Sequence, residues 1–224
     1  MKYKFIALIL WIFMSSAYSA GIDCAKARSG NEKAICSVES LSKLDKDLHK
    51  EYQILLKIYS GSLPINEWHR IWLRSFDLYC DVYQNSIKLP DPDIKCLEKA
   101  YKKRIDLFKA ARLVDEPAKS WTGYYVANSY HGKTLTKSAE IILIGLSKQR
   151  VYVVGTAINT IRGTTDEMEG YGMIKNNILR GEDEKILCGA EFTLRKDGSL
   201  KIENESLLLC GGQGISFDDN YKKQ

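Results

Sequence analysis

Along the first half of the chain, apolar residues recur in steps of three and four. From residue 40 to 59 they fall at Leu41, Leu44, Leu48, Tyr52, Leu55 and Tyr59, with Lys43, Lys46, Asp47 and Lys50 between them. That spacing lays one apolar stripe along a helix and leaves the charges on its other side. Gly61 and Pro64 interrupt the pattern, and Pro64 suits the first turn of a second helix, where no N–H is needed. This helix carries Trp68, Ile71, Trp72, Leu78, Tyr79 and Val82. After Pro90 and Pro92, a third helix shows Ile94, Leu97, Tyr101, Ile105, Phe108 and Arg112 at helical spacing. Residues 32–36 are too short a stretch for periodicity to assign. Helices joined by such short connections pack antiparallel, as an αα-hairpin with one helix added.

The pattern changes near Asp115-Glu116-Pro117. Beyond it, β-branched and aromatic runs are separated by glycines and charged turns, which predicts strands at 123–128, 139–146, 150–158, 171–179, 185–188, 190–195, 200–203 and 207–210. Asp197-Gly198, between two of these, is a hairpin turn signal. Many short strands with regular turns form a small barrel or sandwich. The predicted class is therefore α+β: a disulfide-stapled antiparallel helical bundle followed by a small antiparallel β-barrel or sandwich. The expected division is a signal peptide over 1–20, a helical domain over 21–114 and a β-rich domain over 119–224.

The beginning of the chain sets the expected compartment. Lys2 and Lys4 precede an apolar run over 5–14, and Ser15, Ser16, Ala17, Ser19 and Ala20 supply the small side chains of a cleavage site near Ser19 or Ala20. The run is shorter than the roughly 18–20 residues that span a bilayer, so no stable membrane insertion is expected. Cys24 follows Gly21-Ile22-Asp23 rather than small residues alone, which argues against a lipid anchor. The expected location is periplasmic or secreted.

Six cysteines in an exported chain read as disulfides. Cys24, Cys36, Cys80 and Cys96 fall in the helical half, where three connectivities stay open. Cys188 and Cys210 flank the Asp197-Gly198 hairpin and are the expected pair of the strand half. The four-and-two division suggests halves stapled separately. The histidines, His49, His69 and His131, sit in no metal motif, and no close Cys-x-x-Cys occurs, so no metal and no cofactor is expected. The formal charge of +5 would fall to about +3 without Lys2 and Lys4, too small an excess to mark a nucleic-acid binder.

The helical half resembles the LprI family of bacterial lysozyme inhibitors. The matching elements are Asp23-Cys24-Ala25-Lys26-Ala27, Glu32-Lys33-Ala34-Ile35-Cys36 and Leu41-x-x-Leu44-Asp45-x-x-Leu48-x-x-x-Tyr52. Trp72-Leu73 with Asp77 and Cys80, then Cys96-Leu97 with Arg104 and Leu107, complete the likeness over about residues 23–110. Phe76 stands where the family usually has an arginine before the aspartate, with Arg74 nearby. The ending Cys210-Gly211-Gly212-x-Gly214-Ile215-Ser216-Phe217, with Tyr221, looks like that of β-rich domains attached to such helical domains. The resemblance implies binding to a lysozyme or another cell-wall hydrolase. An immunity protein against a different periplasmic toxin and a structural envelope module are the other expected classes.

Chemistry-bearing patterns are few. No serine lies in a Gly-x-Ser-x-Gly elbow, and the Gly211-Gly212-x-Gly214 run lacks the lysine of a phosphate loop. The 28 acidic residues offer many carboxylate pairs by chance, so their presence does not make a glycosidase. No enzyme is expected. Tyr52, Trp68, Trp72 and Tyr79 read as core at helical spacing, with Trp68, between Glu67 and His69, the candidate for exposure and target contact. Thr165-Asp166-Glu167-Met168-Glu169 and Glu182-Asp183-Glu184 read as solvated loops. Asp166, Glu167 and Glu169 are the candidate target-binding residues, placed to approach a basic hydrolase.

Overall fold

The computed structural model describes residues 21–28, 30–59, 63–74, 80, 89, 91–183, 186–203, 206 and 215–224. The expected leader over 1–20, the strand over 207–210, the glycine run, Phe76, Asp77, Tyr79 and Cys210 lie outside the described residues.

The helical stripes fold as their spacing requires. Helix α1 spans Gly30–Ser37, α2 Glu39–Ile58, α3 Leu63–Arg74 and α4 Asp91–Arg112. Leu41, Leu48, Tyr52 and Leu55 of α2 are buried against Leu97, Tyr101, Ile105 and Phe108 of α4. Asp45 of α2 accepts a hydrogen bond from the Tyr101 hydroxyl (3.1 Å), and Tyr59 donates to the Ala111 carbonyl (3.2 Å), so α2 and α4 run in the same direction. The chain returns between them, as an up-down-up arrangement demands. Two bridges fix the helical half: Cys24–Cys36, with Cα atoms 5.6 Å apart, and Cys80–Cys96, also 5.6 Å. Both connect residues close in sequence, closing loops of 12 and 16 residues.

The strand half is a closed antiparallel barrel of eight strands in sequence order. They are β1 Gly123–His131, β2 Thr134–Gly145, β3 Arg150–Asn159, β4 Thr164–Lys175, β5 Ile178–Gly181, β6 Glu191–Leu194, β7 Leu200–Glu203 and β8 Asp219–Lys223. Closure comes from β8, which pairs with β7 and with Tyr125 and Val126 of β1. Of barrel and sandwich, the chain takes the barrel, which leaves no open sheet edge.

Eight strands enclose a space that side chains can fill. Here Tyr125, Ile141, Val153, Phe192, Phe217 and Tyr221 fill it, all fully buried. A short helix absent from the sequence reading, α5 Ala118–Trp121, inserts Trp121 into the same core. The Tyr125 hydroxyl donates to the Trp121 carbonyl (3.0 Å), and the Gly145 amide to the Thr122 hydroxyl (2.9 Å). A Cβ on Gly145 would lie 2.2 Å from the Ala118 carbonyl oxygen, so only glycine lets α5 sit this close.

Several strand expectations are corrected. The single strand over 171–179 is instead the end of β4 and the start of β5, because Asn176 and Asn177 take φ of 52° and 61° and turn the chain. The strand expected over 185–188 is not formed at 186–188, the part of it that is described: Ile186–Gly189 is a 3-10 turn with Leu187 and Cys188 at positive φ. The stretch read as a solvated loop at 165–169 is a paired part of β4, where Asp166 faces Ala157 and Glu169 faces Val154. Asp197-Gly198 does turn β6 into β7, with Gly198 at φ 81°.

The halves are not separate in packing. Ile142, Ile144 and Tyr152, on the outer face of β2 and β3, belong to the same apolar cluster as Trp68, Leu97 and Phe108. Among the described residues, no helix is long and apolar enough to cross a membrane.

Candidate functional site

The seam between helices and barrel gathers most of the unusual side chains. Trp68, the aromatic residue expected to be exposed, is 1% exposed and packs on Tyr152 of β3, ring centres 5.5 Å apart. Its position on α3 points it at the barrel instead of solvent, so the expectation of an exposed Trp68 is corrected. Tyr52 is buried as expected, Trp72 is half-buried, and both enclose His69, at 4.8 and 5.6 Å between ring centres.

Arg104 of α4 lies in this aromatic cage, 3% exposed, with its guanidinium carbon 3.6 Å from the Trp68 ring centre and 4.7 Å from that of Phe108. A planar cation suits an aromatic face, and its weak hydration lowers the cost of burial. Burial pushes its pKa down to about 9, still well above neutral, so it remains a cation. Its Nε and Nη2 have no hydrogen-bond partner, nor have both ring nitrogens of His69. Burial, reinforced by Arg104 and His49, pushes His69 down to about 3, which keeps the imidazole neutral. These groups are sealed in packed core, so their chemistry acts on stability rather than on a ligand.

The three acidic candidates separate. Asp166 is on the inward face of β4 and 8% exposed. Glu169 accepts a hydrogen bond from the Tyr152 hydroxyl and pairs with Lys103 at 3.6 Å, which ties α4 to the barrel. Glu167 and Glu169 both face outward and are exposed, with Glu169 held by those two partners. Alternation along β4 thus distributes what the linear sequence presents as one acidic run, and neither Asp166 nor Glu169 belongs to a free acidic loop. Of the second run, Glu182 and Asp183 are exposed and Glu184 lies outside the described residues.

Cys188 is disulfide-bonded, and the Cys210 half of the expected pair lies outside the described residues. No described group of three or more His, Cys, Asp or Glu side chains is arranged to hold a metal ion.

Accessible concave surface lies beside the seam. A groove of about 680 Å³ runs between α4 and the outer face of β3 and β4. Lys95, Lys99, Lys102 and Lys103 line the α4 wall, and Arg150 and Tyr171 line the barrel wall. Leu107 and Leu146, both buried, form its floor. The Arg150 guanidinium carbon stands 4.7 Å from the Tyr171 ring centre, and its Nε donates to Glu182 at 2.5 Å. The volume falls within the range of roughly 300–1,000 Å³ typical of binding clefts. No family model matches the chain, and neither a curated protein nor a solved structure does. The likeness to the LprI family therefore stands on the residues that carry it. Sequence reading missed the groove because its two walls come from residues about fifty positions apart, although the lysine spacing on α4 was visible in the sequence.

Proposed function

We propose that this protein is an exported binding protein of the cell envelope whose target is a lysozyme-like cell-wall hydrolase. The observation that carries the reading is the disulfide pattern of the helical half. The four cysteines of the LprI-like motif stand as Cys24–Cys36 and Cys80–Cys96 around a core holding Leu41, Leu48, Tyr52, Leu97 and Arg104 from the same motif. Disulfides of this kind suit an oxidising compartment. A barrel interior filled by its own side chains directs recognition to the outer surface.

The test is lysis of a cell-wall suspension by several lysozyme types, with and without the purified protein. Slowed lysis, saturating at a fixed ratio of protein to enzyme, is the expected result. Unchanged lysis with every lysozyme rejects this target. A second reading, an interaction or immunity protein neutralising another periplasmic toxin, is favoured by the lysine-lined groove, which suits an acidic surface better than a basic one. Affinity capture from periplasm and from competitor culture, followed by a toxicity assay on the captured protein, separates the two.

A further inference from the structure

The lysines of α4 form a row. Lys95, Lys99, Lys102 and Lys103 follow at steps that keep them on one side of the helix, facing across the groove toward Arg150 and Tyr171. From first to last the row runs about 12 Å, the rise of eight helical residues. An extended polypeptide covers that distance with about four residues. Two of the cations are lightly engaged: Lys102 reaches Glu98 at 3.9 Å and Lys103 reaches Glu169 at 3.6 Å, and both lysine side chains are 63% exposed. Lys95 and Lys99 make no ion pair among the described residues, and both are exposed. Below the row, Leu107, Leu146 and the Tyr171 ring give an apolar floor.

We propose that this groove docks an extended acidic segment of a protein partner. Its carboxylates lie against Lys95 and Lys99, while Arg150 stays paired with Glu182 on the opposite wall, and one apolar side chain rests on Leu146 and Tyr171. The charge pattern selects this occupant over a uniform polyanion. Glu98 and Asp106 line the same groove, so a chain of phosphates meets like charge at these two points, whereas a peptide can set other side chains there. The apolar floor likewise has nothing to offer a chain of phosphates. The inference rests on the reading of the protein as a binder and narrows which part of a partner it holds.

The experiment uses the full chain and three probes, followed by fluorescence anisotropy at low salt: a labelled Glu/Leu peptide of about eight residues, a Lys/Leu peptide of equal length and a labelled polyphosphate of matching charge. The Glu/Leu peptide should bind, the Lys/Leu peptide should not, and polyphosphate should bind more weakly. Lys95→Glu with Lys99→Glu should weaken the Glu/Leu peptide by about tenfold or more. Added salt should weaken it progressively, since the row is exposed. Arg162→Glu, on the far β3–β4 turn, should leave binding unchanged, and coincident thermal transitions should verify that each variant folds. No binding of the Glu/Leu peptide, or binding indifferent to the α4 reversals, overturns the proposal. Polyphosphate binding as tightly as the peptide overturns it in favour of a general polyanion site. None of these probes involves a hydrolase, so failure here is distinct from failure to slow lysis.

Discussion

Asp45 shows how one side chain organises a small disulfide-linked bundle. It is 4% exposed, accepts from the Ile22 amide at 2.6 Å and from the Tyr101 hydroxyl, and so ties the segment before α1 to both α2 and α4. Asp45→Ala leaves the buried Tyr101 hydroxyl and the part-buried Ile22 amide unpaired and should cost roughly 1–3 kcal/mol in urea unfolding. His69 makes stability depend on pH. Its folded pKa of about 3 lies below the ordinary 6.5, so between those values the unfolded chain binds the proton more readily. That contribution is complete above pH 6.5 and is lost as pH falls toward 3, on the order of 3 kcal/mol by pH 4. Asp45, raised by burial, acts in the opposite sense just above its ordinary 3.8, so the wild-type slope is a sum. His69→Phe should flatten the fall in Tm between pH 6.5 and 4; an unchanged slope would show that His69 does not set it. Gly145 is a third decisive residue. Gly145→Ala drives a methyl into the Ala118 carbonyl and should destabilise by about 1–3 kcal/mol, the range for overpacking a rigid contact.

Among the elements, β2 explains a sequence run that alternation alone could not. Ile141 and Leu143 point into the barrel, while Ile142 and Ile144 point out beneath the helices, so both faces are buried and the run reads as continuously apolar. Strand β4 is the converse case. Thr165, Glu167 and Glu169 face outward in alternation with the inward Asp166 and Met168, and the polar inward residue disguises a period of two as an acidic loop. The α4 and α2 stripes were legible because apolar burial on one side of a helix leaves an unambiguous period. The extra helix α5 was not, since four residues are too few to show any period. The N-terminal staple belongs to this scale as well. Replacing Cys24 and Cys36 with alanine releases a loop of 12 residues and should lower stability by about 3 kcal/mol, read as a shifted urea midpoint.

Taken whole, the molecule joins a helical layer to the outside of a filled barrel through Trp68, Phe108, Ile142, Ile144 and Tyr152. A shared core makes the two halves unfold together. Far-UV and near-UV signals should therefore report one coincident transition, and Trp68→Ala should move both by about 3–5 kcal/mol. Two separated transitions in the wild type would contradict the shared core. The sequence by itself determined the class, the sites of the principal helices, the Asp197-Gly198 hairpin and the expectation of bridged cysteines, because periodicity, turn residues and cysteine count are local quantities. Only the tertiary structure decided that the cysteines of the helical half pair with near neighbours, that Trp68 and Asp166 turn inward, and that lysines of α4 face Arg150 and Tyr171 across a groove. Those facts depend on which surfaces meet, and the energy of that meeting is shared among residues far apart in the chain.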